Sequence, residues 1–260
     1  MALSSEMEPA DFVASLARGL AVIRAFGHDA HEMTLTEVAR RTGLTRATAR
    51  RFLHTLARLG YAATADGKHF RLTAKVLDLG YAYLSSMDLI EAVQPFMEQV
   101  TAATQESCSV AVLDGHEVVY IARVPTKRIM RVTLSIGTRL PAHATSLGRV
   151  LLAELSPSEL DAYFAAGPLE RFTDRTVTDP AELRRRLDEV RRQGHALIDQ
   201  ELEEGLRSIS VPLRCRRATR ALAALNVSSH ASRVSNQDLV RRFLPALKQA
   251  AAGIASALPG

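Results

Sequence analysis

Residues 35–61 read LTEVARRTGLTRATARRFLHTLARLGY, two short amphipathic segments on either side of Gly43. The run Thr34-Leu35-Thr36-Glu37 at its start has the form of a capping box. The threonine oxygen takes a free backbone N–H, and the glutamate three residues on reaches back to the cap. Met33 and Val38 stand where a hydrophobic staple would close it. Gly43 suits the left-handed residue that ends a helix. Thr45 then takes the N-cap position of a second helix, and Ala49, Phe52, Leu53 and Leu56 follow at the spacing of one buried face. The opposite side carries Arg46, Thr48, Arg50, Arg51 and His54.

Charge on this stretch is almost all of one sign. Between Thr34 and Gly60 lie Arg40, Arg41, Arg46, Arg50, Arg51 and Arg58, against Glu37 as the single acid. A solvated helix face more often mixes signs. Upstream, Ala14 to Phe26 is expected to be a helix that buries Leu16, Ala17, Leu20, Ala21 and Ile23. Downstream, YAAT and HFRLT are extended runs around Asp66-Gly67, which accepts the positive φ of a tight hairpin. Helix, helix, glycine turn, helix and hairpin make a winged helix-turn-helix, whose second paired helix enters the major groove. An arginine fork matches guanine O6 and N7, while Thr45, Thr48 and Lys68 suit phosphates. The expected DNA-binding set is therefore Thr45, Arg46, Thr48, Arg50, Arg51, His54 and Lys68. A small helical domain with an exposed basic face is the plainer alternative.

The whole chain has 260 residues, 47% hydrophobic and 23% charged, with no tryptophan and a net charge of +5. This is a globular composition, with a weak lean towards acidic partners. Neither a secretion signal nor a run of eighteen apolar residues is present, so no membrane span is expected. Cys108 and Cys215 are too few for a disulfide framework, which fits the cytoplasm.

Beyond the front module, AKVLDLGYAYL (74–84) offers Leu77, Tyr81 and Leu84 on one helical face, suited to burial against a second subunit or against its own chain. The expected organisation is a DNA-binding domain over 12–73, a linker helix over 74–87 and a larger domain over 88–260. In the last, Leu89–Thr104 reads as an amphipathic helix, and SVAVLDGHEVVYIARV as a hairpin turning at Asp114-Gly115. A further strand is expected at Arg131–Ile136. Helices should start at Ser156-Pro157 and Asp179-Pro180, the second closing at Gly194. Strands follow at Ala196–Ile198, Ser208–Leu213 and Leu222–Val227, then a last helix over Gln237–Ala257. Hairpins without regular β-α-β alternation give an α+β domain with a largely antiparallel sheet.

Catalytic signatures are missing: there is no glycine-rich phosphate loop, no G-x-S-x-G, no CxxC and no H-E-x-x-H. His28 and His31 read as a solvated loop, Cys108 as a small core residue, and neither metal nor cofactor is expected. A pocket for a small carboxylate is better supported. Arg123, Arg128, Arg131 and Arg139 are interleaved with Val124, Ile129, Met130, Val132, Leu134 and Ile136, and a guanidinium at the end of an apolar slot matches a carboxylate. Thr145 and Ser146 fall at a helix start, where free N–H groups receive anions. Ser208, Asn226 and Ser228 sit inside apolar strands and need partners, from a ligand or from the core.

SLARGLAVIRAF, LTEVARRTGLTRATARRFLHTLARLGY, LPAHATSLGRVLLAEL and GLRSISVPLR, in this order over nearly the whole chain, resemble the IclR family of bacterial transcription regulators. IGTRLPAHATSLGRVLLA with GLRSISVP is most similar to the branch of the PcaR, PcaU and PobR regulators. The resemblance implies a winged helix-turn-helix, a linker helix used in dimerisation, and a GAF-like effector domain. It also implies control of genes for aromatic-acid catabolism in response to an acid such as protocatechuate or 4-hydroxybenzoate. Its ligand would lie between the helix start Thr145–Leu147 and the strands carrying Ser208, Asn226 and Ser228. The expected effector set is Arg123, Met130, Arg131, Arg139, Thr145, Ser146, Leu147, Ser208, Asn226 and Ser228. The partners are double-stranded DNA, an aromatic carboxylate, and a second copy or a tetramer. The rival reading is a hydrolase-like, metabolite-processing enzyme with a helical oligomerisation module, using His143 or Asp114.

Overall fold

A computed structural model describes residues 11–27, 30–80, 89–126, 134–215 and 220–258. The chain divides into two units, Met1–Ser86 and Met87–Gly260.

The first unit holds α1 (Ala14–Arg24), β1 (Glu32–Thr34), α2 (Leu35–Thr42), α3 (Arg46–Arg58), β2 (Ala62–Ala63) and β3 (His69–Leu72). The capping box forms as expected: Thr34 Oγ1 accepts the Glu37 amide at 3.3 Å, and Glu37 Oε2 accepts the Thr34 amide at 2.7 Å. Gly43 ends α2 at φ 68°, and the Thr45 hydroxyl caps α3. Val22, Met33, Val38, Ala49, Leu53, Leu56 and Phe70 close the core. Two points differ from the sequence reading. The wing is three-stranded in the order β1-β3-β2, with Thr34 opposite His69. In addition, α1 buries Val22, whereas Leu16 and Leu20 are 62% and 45% exposed. The apolar stripe on α1 is real, but the described residues of this unit leave Leu16 and Leu20 on it exposed. After a 3-10 turn at Ala74–Val76, residues 77–80 are helical, and the rest of the expected linker helix lies outside the described residues.

The second unit opens with α4 (Leu89–Thr104), followed by β4 (Ser107–Asp114), β5 (Glu117–Val124) and β6 (Arg139–Pro141). Next come α5 (Ser146–Ala153), α6 (Pro157–Ala165), α7 (Pro180–Gln193), β7 (Ala196–Asp199), β8 (Leu206–Leu213) and β9 (Ala223–His230). A short turn, Asn236–Asp238, and a π-helical turn, Leu239–Phe243, lead into α8 (Leu244–Ala257). The six strands form one sheet in the order β6-β5-β4-β9-β8-β7, and each adjacent pair is antiparallel. Helix α5 packs on β4, β8 and β9, while α4 and α8 pack together and against the sheet. The domain is thus α+β with an antiparallel sheet between helices. Ser156 forms a full capping box, and Asp179 caps α7 with its carboxylate. The third strand of the meander is Arg139–Pro141, later than the expected Arg131–Ile136. Of that expected strand, 131–133 lie outside the described residues and Leu134–Ile136 belong to no strand.

Candidate nucleic-acid interface and effector pocket

Helix α3 spends Ala49, Leu53 and Leu56 on the core, which leaves its other face to solvent. Arg46, Arg50 and His54 on that face share one groove with Thr34, Leu35 and Thr36 at the start of α2, and with Gly67 and Lys68 of the wing. The wing tip is held locally: Asp66 Oδ1 accepts the Lys68 and His69 amides at 2.8 Å each, and Oδ2 meets His69 Nδ1 at 2.6 Å. That side-chain bond raises the His69 pKa. His54 stands edge-on to Phe70 at 5.7 Å, so its ring also braces the wing strand. Thr45 and Thr48 bond each other at 2.9 Å and line a second groove with Arg18, Arg24, Arg40 and Arg41. Arg51 is exposed and lines neither. The sequence reading did not assign Thr36, Arg18, Arg24, Arg40 or Arg41 to a site, although the almost one-signed charge of 34–60 already contained two of them.

In the second unit, Thr145, Ser208, Asn226 and Ser228 line one pocket with Tyr120, Leu134, Leu140, Ala144, Ile198, Leu202, Glu203 and Leu206. Sheet register explains the convergence. Ser208 stands opposite Ser228, and Ser210 opposite Asn226, which in turn faces Ser109, which faces Arg123. A polar row thus crosses four strands, where side chains of opposed residues share a face. Arg123 Nη1 donates to Ser109 Oγ at 3.3 Å, and its half-buried guanidinium is held below its ordinary pKa by burial. Asn226 Nδ2 donates to Ser228 Oγ at 3.0 Å, while Asn226 Oδ1 is buried with no donor among the described residues.

Arg123 does not line the pocket itself, and the remaining expected residues lie elsewhere. Leu140 lines the pocket, so strand alternation turns Arg139 to the opposite face, where its Nε and Nη2 bond Glu117 and Asp114 at 2.6 Å each. Ser146 is fully buried beside the pocket and accepts the Ser210 hydroxyl at 2.7 Å, and Leu147 is fully buried in the core. Met130 and Arg131, like Arg128, fall outside the described residues. Tyr120, Leu202 and Glu203 had no signal in the sequence beyond being an alternate strand position and a loop.

Behind the pocket, α5 carries Arg149, buried to 3% exposure. Its Nε donates to the His143 carbonyl at 2.9 Å and its Nη2 to Glu201 Oε2 at 2.5 Å. Burial lowers the Arg149 pKa, and the Glu201 charge opposes that shift. His143 Nε2 donates to the Glu170 carbonyl at 2.9 Å, and burial pulls the imidazole below its usual range. Asp114 is taken by Arg139 and His143 by Glu170, so the pair named for a hydrolase is spent on separate structural bonds. No metal-binding cluster of His, Cys, Asp or Glu, and no helix long and apolar enough to cross a membrane, occurs among the described residues.

Residues 15–66 match the IclR helix-turn-helix domain, and residues 81–256 match the bacterial transcriptional regulator IclR C-terminal domain. The chain is 45% identical over 251 residues to the Pca regulon regulatory protein of Pseudomonas putida, covering 96% of this chain and 86% of that one. It is 41% identical over 253 residues to the p-hydroxybenzoate hydroxylase transcriptional activator of Acinetobacter baylyi, covering 95% and 93%. Its fold is similar to that of an IclR homolog complexed with 4-hydroxybenzoate from Microbacterium hydrocarbonoxydans. The TM-score there is 0.82 at 28% identity, over 93% of this chain and 98% of that one.

Proposed function

The chain belongs to the IclR family of bacterial transcriptional regulators, and on that premise we propose that it controls genes of aromatic-acid catabolism in response to a small aromatic carboxylate. Its relation to the Pca regulon regulator and to the p-hydroxybenzoate hydroxylase activator supports the pathway class. The 4-hydroxybenzoate complex of a fold neighbour supports the ligand class. The observation that carries the DNA reading is the groove in which Arg46 and Arg50 of α3 meet Lys68 of the wing, while the apolar face of α3 is consumed by the core. Arg46, Arg50 and Arg51 read or clamp the major groove, Thr45 and Thr48 fix register on phosphates, and Lys68 holds the flanking backbone. In the pocket, Thr145, Ser208, Asn226 and Ser228 orient the ligand; Arg123, off the described lining but joined to Asn226's row through Ser109, is the cation that draws its carboxylate.

The working unit is a dimer or a pair of dimers. Phe12, Val13, Leu16 and Leu20 expose a continuous apolar face on and before α1, which a second copy would cover. A ligand moves such an assembly only through its difference in affinity for the two arrangements. The test is a gel shift with the protein's own upstream DNA. The Arg50→Ala/Arg51→Ala variant should bind at least about tenfold more weakly, since each arginine–base pairing is worth about 1–3 kcal/mol. The stabilisation by 4-hydroxybenzoate, about 2.7 kcal/mol at a hundredfold excess over Kd, should persist in that variant. Undiminished DNA binding removes the α3 assignment, and stabilisation by short aliphatic acids alone removes the aromatic one.

A further inference from the structure

Glu203 is the one carboxylate on the pocket's described lining, where no lysine or arginine stands with it. It projects from the 200–205 loop between β7 and β8, and that loop is tied down at several points. Glu201 is held in the core by Arg149 at 2.5 Å and by the Val177 amide at 3.2 Å, and its carbonyl accepts the Thr176 hydroxyl at 2.6 Å. Gln200, at φ 62°, accepts the Gly205 amide through Oε1 at 2.9 Å. Gly205 closes the loop at φ 81°, where a Cβ would come within 2.6 Å of His230 Nε2. The loop is therefore a fixed wall: Glu201 is anchored inward, and Leu202 and Glu203 line the cavity. Among the described residues no cation lies within ion-pair distance of Glu203, whose side chain is half-buried.

An ionised carboxylate accepts hydrogen bonds and donates none. The pocket holds a second acceptor in want of a donor, the buried Asn226 Oδ1. Two unfilled acceptors in a cavity proposed to hold an aromatic acid call for a ligand with donors of its own, and phenolic hydroxyls supply them without a second negative charge. A vicinal pair of hydroxyls offers two donors to two carboxylate oxygens, and such charge-assisted bonds are the stronger kind. A second carboxylate on the ring would face Glu203 as a like charge.

Resting on the aromatic-acid reading above, we infer that Glu203 is a specificity-determining residue: it selects ring-hydroxylated aromatic monocarboxylates, dihydroxylated ones foremost, and rejects aromatic dicarboxylates. The experiment is calorimetric titration of the full chain with benzoate, 4-hydroxybenzoate, 3,4-dihydroxybenzoate and benzene-1,4-dicarboxylate. Wild type should bind the dihydroxy acid at least about tenfold more tightly than benzoate, and the dicarboxylate most weakly, since one hydrogen bond to a charged group is worth about that factor. Glu203→Gln should lose about tenfold for the dihydroxy acid, stay within about twofold for benzoate, and gain on the dicarboxylate. Glu204→Gln, one residue on and exposed, should leave all four unchanged. The melting temperature of Glu203→Gln should equal that of wild type, because no ion pair is lost. If Glu203→Gln keeps the wild-type order and ratios, or if wild type does not distinguish benzoate from its hydroxylated forms, the inference falls and the aromatic-acid reading stands. If wild type binds none of the four, both fall.

Discussion

Removing Arg149 tests how the pocket is held. Arg149 and Glu201 are buried to 3% and 8% exposure, bonded at 2.5 Å, and Arg149 also supplies the donor for the His143 carbonyl. In Arg149→Met the methylene volume is largely retained, but Glu201 is left charged in the core with only the Val177 amide. Breaking a buried pair from one side costs about 3–5 kcal/mol, because the remaining charge has lost its compensation. Against a total stability of about 5–15 kcal/mol this is a large share. A domain of this size, Met87–Gly260, melts about 2–4 °C lower per kcal/mol, so the transition of the second unit should drop by about 6–20 °C. Differential scanning calorimetry and urea titration read this directly. Glu201→Leu alone should cost a similar amount, and the double variant should recover much of the loss, since two apolar groups leave no charge stranded. Losses below about 1 kcal/mol in the singles, or a double variant as poor as their sum, would refute the picture of a desolvated clamp. Because the same clamp holds the loop that carries Glu203, the single variants should also weaken binding of 3,4-dihydroxybenzoate.

Two further outcomes follow from neighbouring residues. Gly148→Ala would place a Cβ 2.1 Å from the Ala142 carbonyl oxygen and 2.3 Å from its Cα. Neither backbone atom yields cheaply, so the variant should be less stable by about 1–3 kcal/mol or more in urea titration, although alanine favours a helix over glycine by about 1 kcal/mol. Burial lowers the His143 pKa, so the folded state resists a proton that the unfolded state takes up at about pH 6.5. The stability this gives is complete above the unfolded value and declines as pH falls below it towards the folded one. The melting temperature should thus fall between pH 7 and 5.5, with a shallower slope in His143→Asn; equal slopes would show that His143 is not the group responsible.

How much of this was legible beforehand depends on whether the deciding interaction was local. Thr34-x-x-Glu37, Gly43, Thr45 and Ser156-Pro157 are written within four residues of where they act, and the structure has each in its expected place. The polar positions Ser208, Asn226 and Ser228 stood out against apolar strands, and the register of β8 and β9 gathers them on one face. Arg139 and Leu140 show the limit. Which of two adjacent residues faces a cavity depends on strand parity, and β6 starts later than periodicity suggested. Periodicity on α1 correctly marked one apolar face but carried no information on what covers it, and Leu16 and Leu20 are exposed. Glu203 was invisible because its position is set by Arg149, Gly205 and His230, contacts that no local pattern encodes.

Thr34 has a double duty whose effect reaches past the cap itself. It ends β1 opposite His69 of the wing, and it also caps α2. The wing strand and the helix that supports α3 therefore share one residue's backbone, with no slack between them. A fluctuation that peels β1 from β3 unlatches the first turn of α2, and fraying of α2 releases the wing. The wing pairing and the first turn of α2 therefore open as one cooperative unit, so neither can be loosened by a substitution at Thr34 without the other.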